Sequence, residues 1–199
     1  MTSTMHAGFR EYPYQDLWPD TARRPLLGFA AWSGVGKTTL LSRLIPLLRR
    51  DGLRIALIKH AHHAFDVDHP GKDSYRLRRA GADQVLVTSA KRWALMQERP
   101  EERDPVLAEE IRRLDQRSLD LLLVEGFRHE RFPKIELLRE TGEDRQPLHR
   151  TDGSIIAVAA ERPERLRTRL PRLSINDPEQ VAGFIREHVV RPVLSGPMD

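Results

Sequence analysis

Cysteine is absent from the 199 residues of this chain. Disulfide bonds and thiolate metal sites are therefore excluded, and any bound metal must use oxygen or nitrogen ligands. The sequence also lacks an apolar run near the roughly 20 residues that a membrane-spanning helix needs. Its N-terminus shows no charged segment followed by an apolar one. We therefore expect a cytoplasmic protein that does not enter a membrane.

Lysine is scarce. Of the 33 basic residues only five are lysines, namely Lys37, Lys59, Lys72, Lys91 and Lys134. The 29 acidic residues leave a net charge of +4, and neither sign forms a long block, so nucleic-acid binding is not predicted. Because most basic residues of this chain are arginines, we hypothesise that lysine occurs at positions where a compact ammonium group is required.

A glycine-rich loop follows the first apolar segment. The run Ser33-Gly34-Val35-Gly36-Lys37-Thr38-Thr39 lies between apolar residues 26–32 and an amphipathic stretch that starts at Leu40. A strand that turns through glycines into a helix directs backbone N–H groups and the helix dipole at one spot, which favours a polyphosphate. Lys37 would reach the β- and γ-phosphates, and the Thr38 hydroxyl would bind Mg²⁺.

The loop departs from the phosphate-loop pattern at one position. Ala31 occupies the place of the first glycine of Gly-x-x-x-x-Gly-Lys-Ser/Thr. That position needs a small side chain, whereas Gly34 and Gly36 lie where the backbone must curl around phosphate. The alternative is a chance Gly-Lys-Thr in an ordinary turn, and the strand and helix patterns on either side favour the phosphate loop.

Apolar strands alternate with amphipathic helices from Leu26 onward. The pattern predicts helices at 37–50, 72–80, 106–117 and 178–189, with Pro46 kinking or ending the first. It predicts strands at 26–32, 54–58, 84–88, 93–96, 119–125, 134–138, 155–159 and 173–175. This alternation predicts an α/β fold with a mainly parallel, twisted sheet and helices on both faces.

Residues 1–25 carry three prolines and several aromatic residues without a clear period. We expect them to form a poorly ordered N-terminal extension to a nucleotide-binding domain of residues 26–199.

Polar residues end two of the predicted buried strands. Lys59 and His60 follow the strand at 54–58, and Glu125 ends the most apolar strand of the chain, directly before Gly126. The carboxyl ends of parallel strands gather ligands at one edge of a sheet. Glu125 therefore has the place of the acidic residue that holds Mg²⁺ in nucleotide-binding proteins, with a surface strand cap as the alternative.

The segment from His60 to Arg76 is dense in histidine and aspartate. Three interpretations stay open: a transition-metal site, a solvated loop before a helix, or a switch-like loop near the γ-phosphate. In the third, which we favour, Asp66 or Asp68 is an acidic residue near the metal and Lys72 or Arg76 faces anions. Near the C-terminus, Asn176-Asp177 faintly resembles a guanine-binding motif, and the following Pro-Glu-Gln favours a helix cap instead.

These motifs together resemble the MobB family of molybdopterin-guanine dinucleotide biosynthesis adaptors. The resemblance covers about residues 26–190 and rests on Ala-Ala-Trp-Ser-Gly-Val-Gly-Lys-Thr-Thr-Leu, Leu-Ile-Lys-His-Ala-His-His, Asp-Val-Asp-His-Pro-Gly-Lys-Asp-Ser-Tyr-Arg, Lys-Arg-Trp-Ala-Leu and Leu-Val-Glu-Gly-Phe. The family commonly reads Lys-His-Thr-His-His-Asp where this chain has Ala61 and Ala64, which shifts our prediction to Asp66 and Asp68.

The resemblance implies a P-loop NTPase fold that binds GTP with Mg²⁺, hydrolyses it weakly, and forms a homodimer. It also implies association with the MobA nucleotidyltransferase, which attaches GMP to molybdopterin, and leaves open whether molybdopterin or its carrier enzymes also bind. We expect the nucleotide at Ser33, Gly34, Val35, Gly36, Lys37, Thr38, Thr39, Lys59, His60 and Lys72, and Mg²⁺ at Thr38, Glu125 and Asp66. Two other functions compete: a small-molecule kinase or ligase, and a metal chaperone using the histidine-rich loop.

Overall fold

The computed structural model describes residues 12–61, 65–139 and 146–191. The chain divides into two compact units, a larger one formed by Met1–His60 with Val106–Asp199 and a smaller one formed by Ala61–Pro105. Each unit is described by itself below.

Eight strands and four α-helices make up the regular structure of the described residues. In chain order they are β1 Leu26–Ala30, α1 Lys37–Arg50, β2 Ile55–Lys59, α2 Asp73–Arg79, β3 Gln84–Thr88, β4 Trp93–Gln97, α3 Leu107–Arg112, β5 Leu121–Glu125, β6 Lys134–Leu138, β7 Ile155–Ala160, β8 Arg172–Ser174 and α4 Pro178–Ile185. A π-helical turn, Arg186–Val190, follows α4. Short 3₁₀ helices lie at Gln15–Leu17, Gln116–Ser118, Leu148–Arg150 and Pro163–Arg165.

Six parallel strands form the sheet of the larger unit, in the order β2-β5-β1-β6-β7-β8. Apolar side chains alternate between its two faces because successive residues of a strand point in opposite directions. Leu27 and Leu123 pack with α1 and α4 on one face, and Leu26 and Leu122 pack with α3 on the other. The predicted parallel sheet with helices on both faces is confirmed.

One helix has its predicted extent despite an internal proline, and another ends earlier than predicted. The first runs unbroken from Lys37 to Arg50 through Pro46, although proline has no N–H to donate to the preceding turn. The helix predicted to reach residue 117 ends at Arg112, and Asp115 caps a separate 3₁₀ turn by accepting a hydrogen bond from the Arg117 N–H. Local capping thus ends that helix earlier than its apolar period suggested.

Part of the N-terminal segment packs on the larger unit. Tyr14 and Leu17 contact one core cluster, while Trp18 and Ala22 contact the other. The Gln116 side chain accepts a hydrogen bond from the Arg23 N–H at 2.7 Å and so ties the segment down. Residues 12–25 therefore differ from the expected poorly ordered extension. Their aromatic side chains bury area against the core although the segment has no periodic hydrophobic pattern. Residues 1–11 lie outside the described residues.

The smaller unit contains α2 and an antiparallel hairpin of β3 and β4, in register from Gln84 opposite Gln97. The sequence predicted both strands but not their separation from the parallel sheet. Leu86, Trp93 and Leu95 share one face of the hairpin and are 60%, 70% and 51% exposed. In the described parts of the chain, no helix has the length and apolar character needed to cross a membrane.

Candidate nucleotide-binding site

The glycine-rich loop joins the end of β1 to the start of α1. Gly34 and Gly36 have φ values of 82° and 101°, a conformation that other residues rarely adopt. Ala31 is buried and is not among the described non-glycine residues with positive φ. An alanine at the first position of the pattern is therefore compatible with this loop shape.

Lys37 lies across the inside of the loop. Its Nζ donates hydrogen bonds to the Ala31 carbonyl at 3.1 Å and to the carbonyl of the next residue at 3.3 Å. Burial lowers the pKa of Lys37; the Glu125 carboxylate opposes this effect, and the positive charges of Arg128 and Lys59 add to it. The loop thus holds an ammonium group beside further cations, where an anion gains most from binding.

Glu125 ends β5 as a buried carboxylate, 7% exposed. Its Oε1 accepts a hydrogen bond from the Thr38 hydroxyl at 3.0 Å and lies 3.4 Å from the Lys59 Nζ. Parallel pairing explains this placement, because Lys59 lies opposite Glu125 in the register of β2 and β5. A buried carboxylate beside a hydroxyl is the kind of oxygen donor set that suits Mg²⁺.

The turn after Glu125 is tightly constrained. Gly126 has a φ of 104° and Phe127 a φ of 51°. A Cβ on Gly126 would lie 2.6 Å from the Cβ of His60, whose N–H donates to the Glu125 carbonyl at 2.8 Å. The rings of His60 and Phe127 lie 4.8 Å apart. Glycine therefore allows the ends of β2 and β5 to meet closely enough to fix the Glu125 side chain.

The segment after this turn lies against the glycine-rich loop. The Arg128 guanidinium lies 4.6 Å from the Trp32 ring centre. Lys134, 1% exposed, donates to the carbonyls of Arg128 and Glu130 and forms a 2.8 Å ion pair with Asp152. A buried lysine thus holds the segment that presents Arg128 to the loop.

Arg139 contacts the other side of the loop and was missed by the sequence analysis. Its Nε donates to the Val35 carbonyl at 3.0 Å, and its Nη1 lies 3.3 Å from Oε1 of Glu161. The sequence signal for Arg139 is its position directly after strand β6, which resembles the positions of Lys59 and Glu125 at strand ends. This signal was not recognised because arginine is common throughout the chain.

Two predicted site residues, Asp66 and Lys72, belong to the smaller unit. The Asp66 carboxylate pairs with Arg78, and this hydrogen bond lowers the Asp66 pKa. Lys72 directly precedes α2. The structure brings Thr38, Lys59, His60 and Glu125 together in the larger unit. The placement of Asp66 and Lys72 beside them stays a prediction.

The histidine-rich segment is only partly described, because His62 and His63 lie outside the described residues. Within the described ranges, no group of three or more His, Asp or Glu side chains is placed to hold a metal. Asp68 is mostly buried and accepts a hydrogen bond from the Ser74 hydroxyl at 3.2 Å, which links it to the first turn of α2. The metal-site interpretation of this segment stays open.

Asp177 caps α4. Its side chain accepts a hydrogen bond from the Gln180 N–H at 3.1 Å, and Pro178 is the first residue of the helix. The Gln180 side chain accepts in turn from the Ser174 N–H at 2.6 Å. The capping interpretation of Asn176-Asp177 is confirmed, since this carboxylate serves the helix.

Known proteins with similar sequences are described in the same terms. Residues 26–161 match the family model of molybdopterin guanine dinucleotide synthesis protein B, MobB. A molybdopterin-guanine dinucleotide biosynthesis adapter protein of Escherichia coli strain K12 is 53% identical, covering 82% of this chain and 92% of that protein. One of Haemophilus influenzae is 44% identical, covering 81% and 87%.

Solved structures agree with the sequence relatives. A crystal structure of molybdopterin-guanine biosynthesis protein B superposes with a TM-score of 0.63 at 27% identity, covering 81% of this chain and 97% of that one. A crystal structure of Bacillus subtilis MobB gives 0.65 at 25% identity, covering 83% and 98%. The fold is thus α/β of the P-loop NTPase type. The chain belongs to the MobB family and acts as an adapter in molybdopterin guanine dinucleotide biosynthesis.

Proposed function

We propose that this adapter binds GTP together with Mg²⁺ through the glycine-rich loop and hydrolyses it slowly. The observation that carries the proposal is the cluster of Lys37, Thr38 and Glu125. Lys37 bridges the loop, and Thr38 donates to the buried Glu125 carboxylate at 3.0 Å. An ammonium group, a hydroxyl and a carboxylate in this arrangement suit a phosphate chain and its divalent cation.

Thr38 and Glu125 would hold the Mg²⁺, directly or through water. Bound there, Mg²⁺ would neutralise charge on the phosphate oxygens. The present hydrogen bond between the two side chains already places both oxygen donors close together. A role for Asp66, the third predicted ligand, stays a prediction, and its carboxylate pairs with Arg78 within the smaller unit.

Slow turnover is consistent with the surroundings of Glu125. Its Oε1 accepts from Thr38 and faces Lys59, so the carboxylate is engaged by both rather than directed at a water molecule. We therefore infer that the bound nucleotide acts as a slow switch.

We also propose a MobA-type nucleotidyltransferase as the partner and a homodimer as the assembly. The relatives' description as adapter proteins supports a partner enzyme in the same biosynthesis. Exposed Leu86, Trp93 and Leu95 on one hairpin face support a further interface, since apolar patches of this kind usually mark contact sites. Binding of molybdopterin or its carriers and a cytoplasmic location stay predictions.

Calorimetric titration with GTP, ATP and GDP in Mg²⁺ tests the nucleotide assignment. We expect tighter binding of GTP than of ATP, and a loss of about 100-fold or more in Lys37→Ala because the phosphates lose the cation of the loop. Lys91→Ala, at an exposed lysine of the smaller unit, is the matched control. Equal affinity for GTP and ATP would contradict the guanine assignment, and unchanged affinity in Lys37→Ala would contradict the site.

Turnover separates an adapter from the competing kinase or ligase. An adapter should hydrolyse GTP slowly and form a measurable complex with the nucleotidyltransferase. Rapid γ-phosphate transfer that depends on a small-molecule acceptor would instead identify a kinase.

A further inference from the structure

Arg128 differs from the other cations around the glycine-rich loop. Lys59 faces the Glu125 carboxylate at 3.4 Å, so its charge is already paired. In the part of the chain that the structure describes, Arg128 contacts the Trp32 ring and the His129 imidazole, and no carboxylate pairs with it. An arginine that is held without a carboxylate can give its charge to an anionic ligand.

Trp32 connects Arg128 to the phosphate-binding lysine. The Arg128 guanidinium lies 4.6 Å from the centre of the Trp32 ring, and the Trp32 carbonyl accepts a hydrogen bond from the Lys37 Nζ at 3.3 Å. Burial is the main cause of the lowered pKa of Lys37, and the positive charge of Arg128 adds to it. The two cations therefore border the same loop, within reach of one phosphate chain.

The fold fixes the backbone that carries Arg128. Gly126 and Phe127 both have positive φ values, and a residue other than glycine adopts this conformation only where its surroundings enforce it. Phe127 is buried, and Lys134 donates to the Arg128 carbonyl at 3.2 Å while pairing with Asp152 at 2.8 Å. The turn is thus held on both sides of Arg128, which limits where its side chain can reach.

The position of Arg128 along the chain indicates which phosphate it meets. In nucleotide sites of this type, Mg²⁺ bridges oxygens of the β- and γ-phosphates. Glu125, proposed above to hold that metal, precedes Arg128 by three residues. A cation on this side of the loop lies nearer to the γ-phosphate than to the phosphate that joins the nucleoside.

We propose that Arg128 binds the γ-phosphate of the bound nucleotide, with its guanidinium supported by the Trp32 ring, and that it thereby distinguishes GTP from GDP. A planar guanidinium can donate two parallel hydrogen bonds to a phosphate while its face rests on an aromatic ring. A contact made already with the bound triphosphate strengthens binding without accelerating hydrolysis, so it agrees with slow turnover. This assignment rests on the proposed nucleotide binding and adds to it the residue that senses the terminal phosphate.

Calorimetric titration with GTP and with GDP, each in the presence of Mg²⁺, tests the assignment. Arg128→Gln removes the charge and keeps a polar side chain. We expect its affinity for GTP to fall about tenfold or more and its affinity for GDP to change by less than about twofold. Arg131→Gln makes the same charge change at an exposed arginine of the same segment and should leave both affinities unchanged.

Trp32 acts as a positioning residue in this assignment. Trp32→Phe keeps an aromatic face for the guanidinium and should keep the ratio of GTP affinity to GDP affinity. Trp32→Leu removes that face and should lower the ratio, whereas general damage to the loop would weaken both nucleotides alike. The same ratio in the two variants would overturn the positioning role.

The outcomes separate this assignment from the proposed function. If Lys37→Ala weakens both nucleotides but Arg128→Gln leaves GTP affinity unchanged, or weakens GTP and GDP alike, the assignment of Arg128 is overturned while the phosphate site stands. If nucleotide binding does not depend on Lys37, both are overturned.

Discussion

The two sides of the candidate site are built differently. On the phosphate and metal side, Glu125 is buried and Lys37 is hydrogen-bonded across the loop. On the other side of the loop, the Glu161 side chain is 41% exposed and its partner Arg139 is 34% exposed. The first arrangement is fixed before any ligand arrives, and the second is open to solvent. We therefore expect the phosphate and metal side to supply most of the affinity for a nucleotide.

Substituting Gly126 should have the largest effect, because it changes the rigid side. A Cβ there would meet His60 at 2.6 Å, and the φ of 104° suits only glycine. We expect Gly126→Ala to lower the free energy of unfolding by about 3 kcal/mol. Urea denaturation measures this. The control is Gly153→Ala, where a Cβ has open space; equal losses in the two variants would show that the turn is not constrained.

The pH dependence of binding should have an intermediate effect. Burial lowers the Lys37 pKa, and only the protonated amine attracts phosphate. Affinity for GTP should therefore fall as pH rises through that lowered pKa, approaching tenfold for each further pH unit. The phosphates of the nucleotide also titrate, and they do so equally with every variant. Lys37→Arg stays charged over this pH range, so it is the reference against which the effect of Lys37 is measured. Parallel curves for the two proteins would contradict the account.

Removing Arg139 should have the smallest effect on stability. Its pair with Glu161 is partly exposed, and such pairs contribute about 1 kcal/mol or less. Arg139→Ala should thus lower the free energy of unfolding by no more than about 1 kcal/mol in urea denaturation. A loss as large as that expected for Gly126→Ala would show that the Arg139 side of the loop is as rigid as the phosphate and metal side.

The sequence predicted the parts of the site that depend on local pattern. The helix at Lys37–Arg50, the turn glycines and the strand ending at Glu125 each have a period or composition that identifies them. The pairing of Glu125 with Thr38 and Lys59 followed from the expectation that parallel strand ends meet. These are short-range signals combined with one general rule of topology.

The remaining features depend on sheet order, which no local pattern carries. Arg139 meets Glu161 because β6 and β7 are neighbours, and Gly126 meets His60 because β2 lies beside β5. The packing of Trp18 uses aromatic area rather than a periodic face, so it left no signal in the sequence. Arginine is also too common in this chain for its identity to mark Arg139.

The central claim is that Thr38 and Glu125 form the metal-binding side of a nucleotide site. It is tested most directly by GTP affinity with and without Mg²⁺, compared between the native protein and Glu125→Gln. We expect Mg²⁺ to strengthen GTP binding about tenfold or more in the native protein and to have little effect in the variant. The same Mg²⁺ dependence in both proteins would contradict the account.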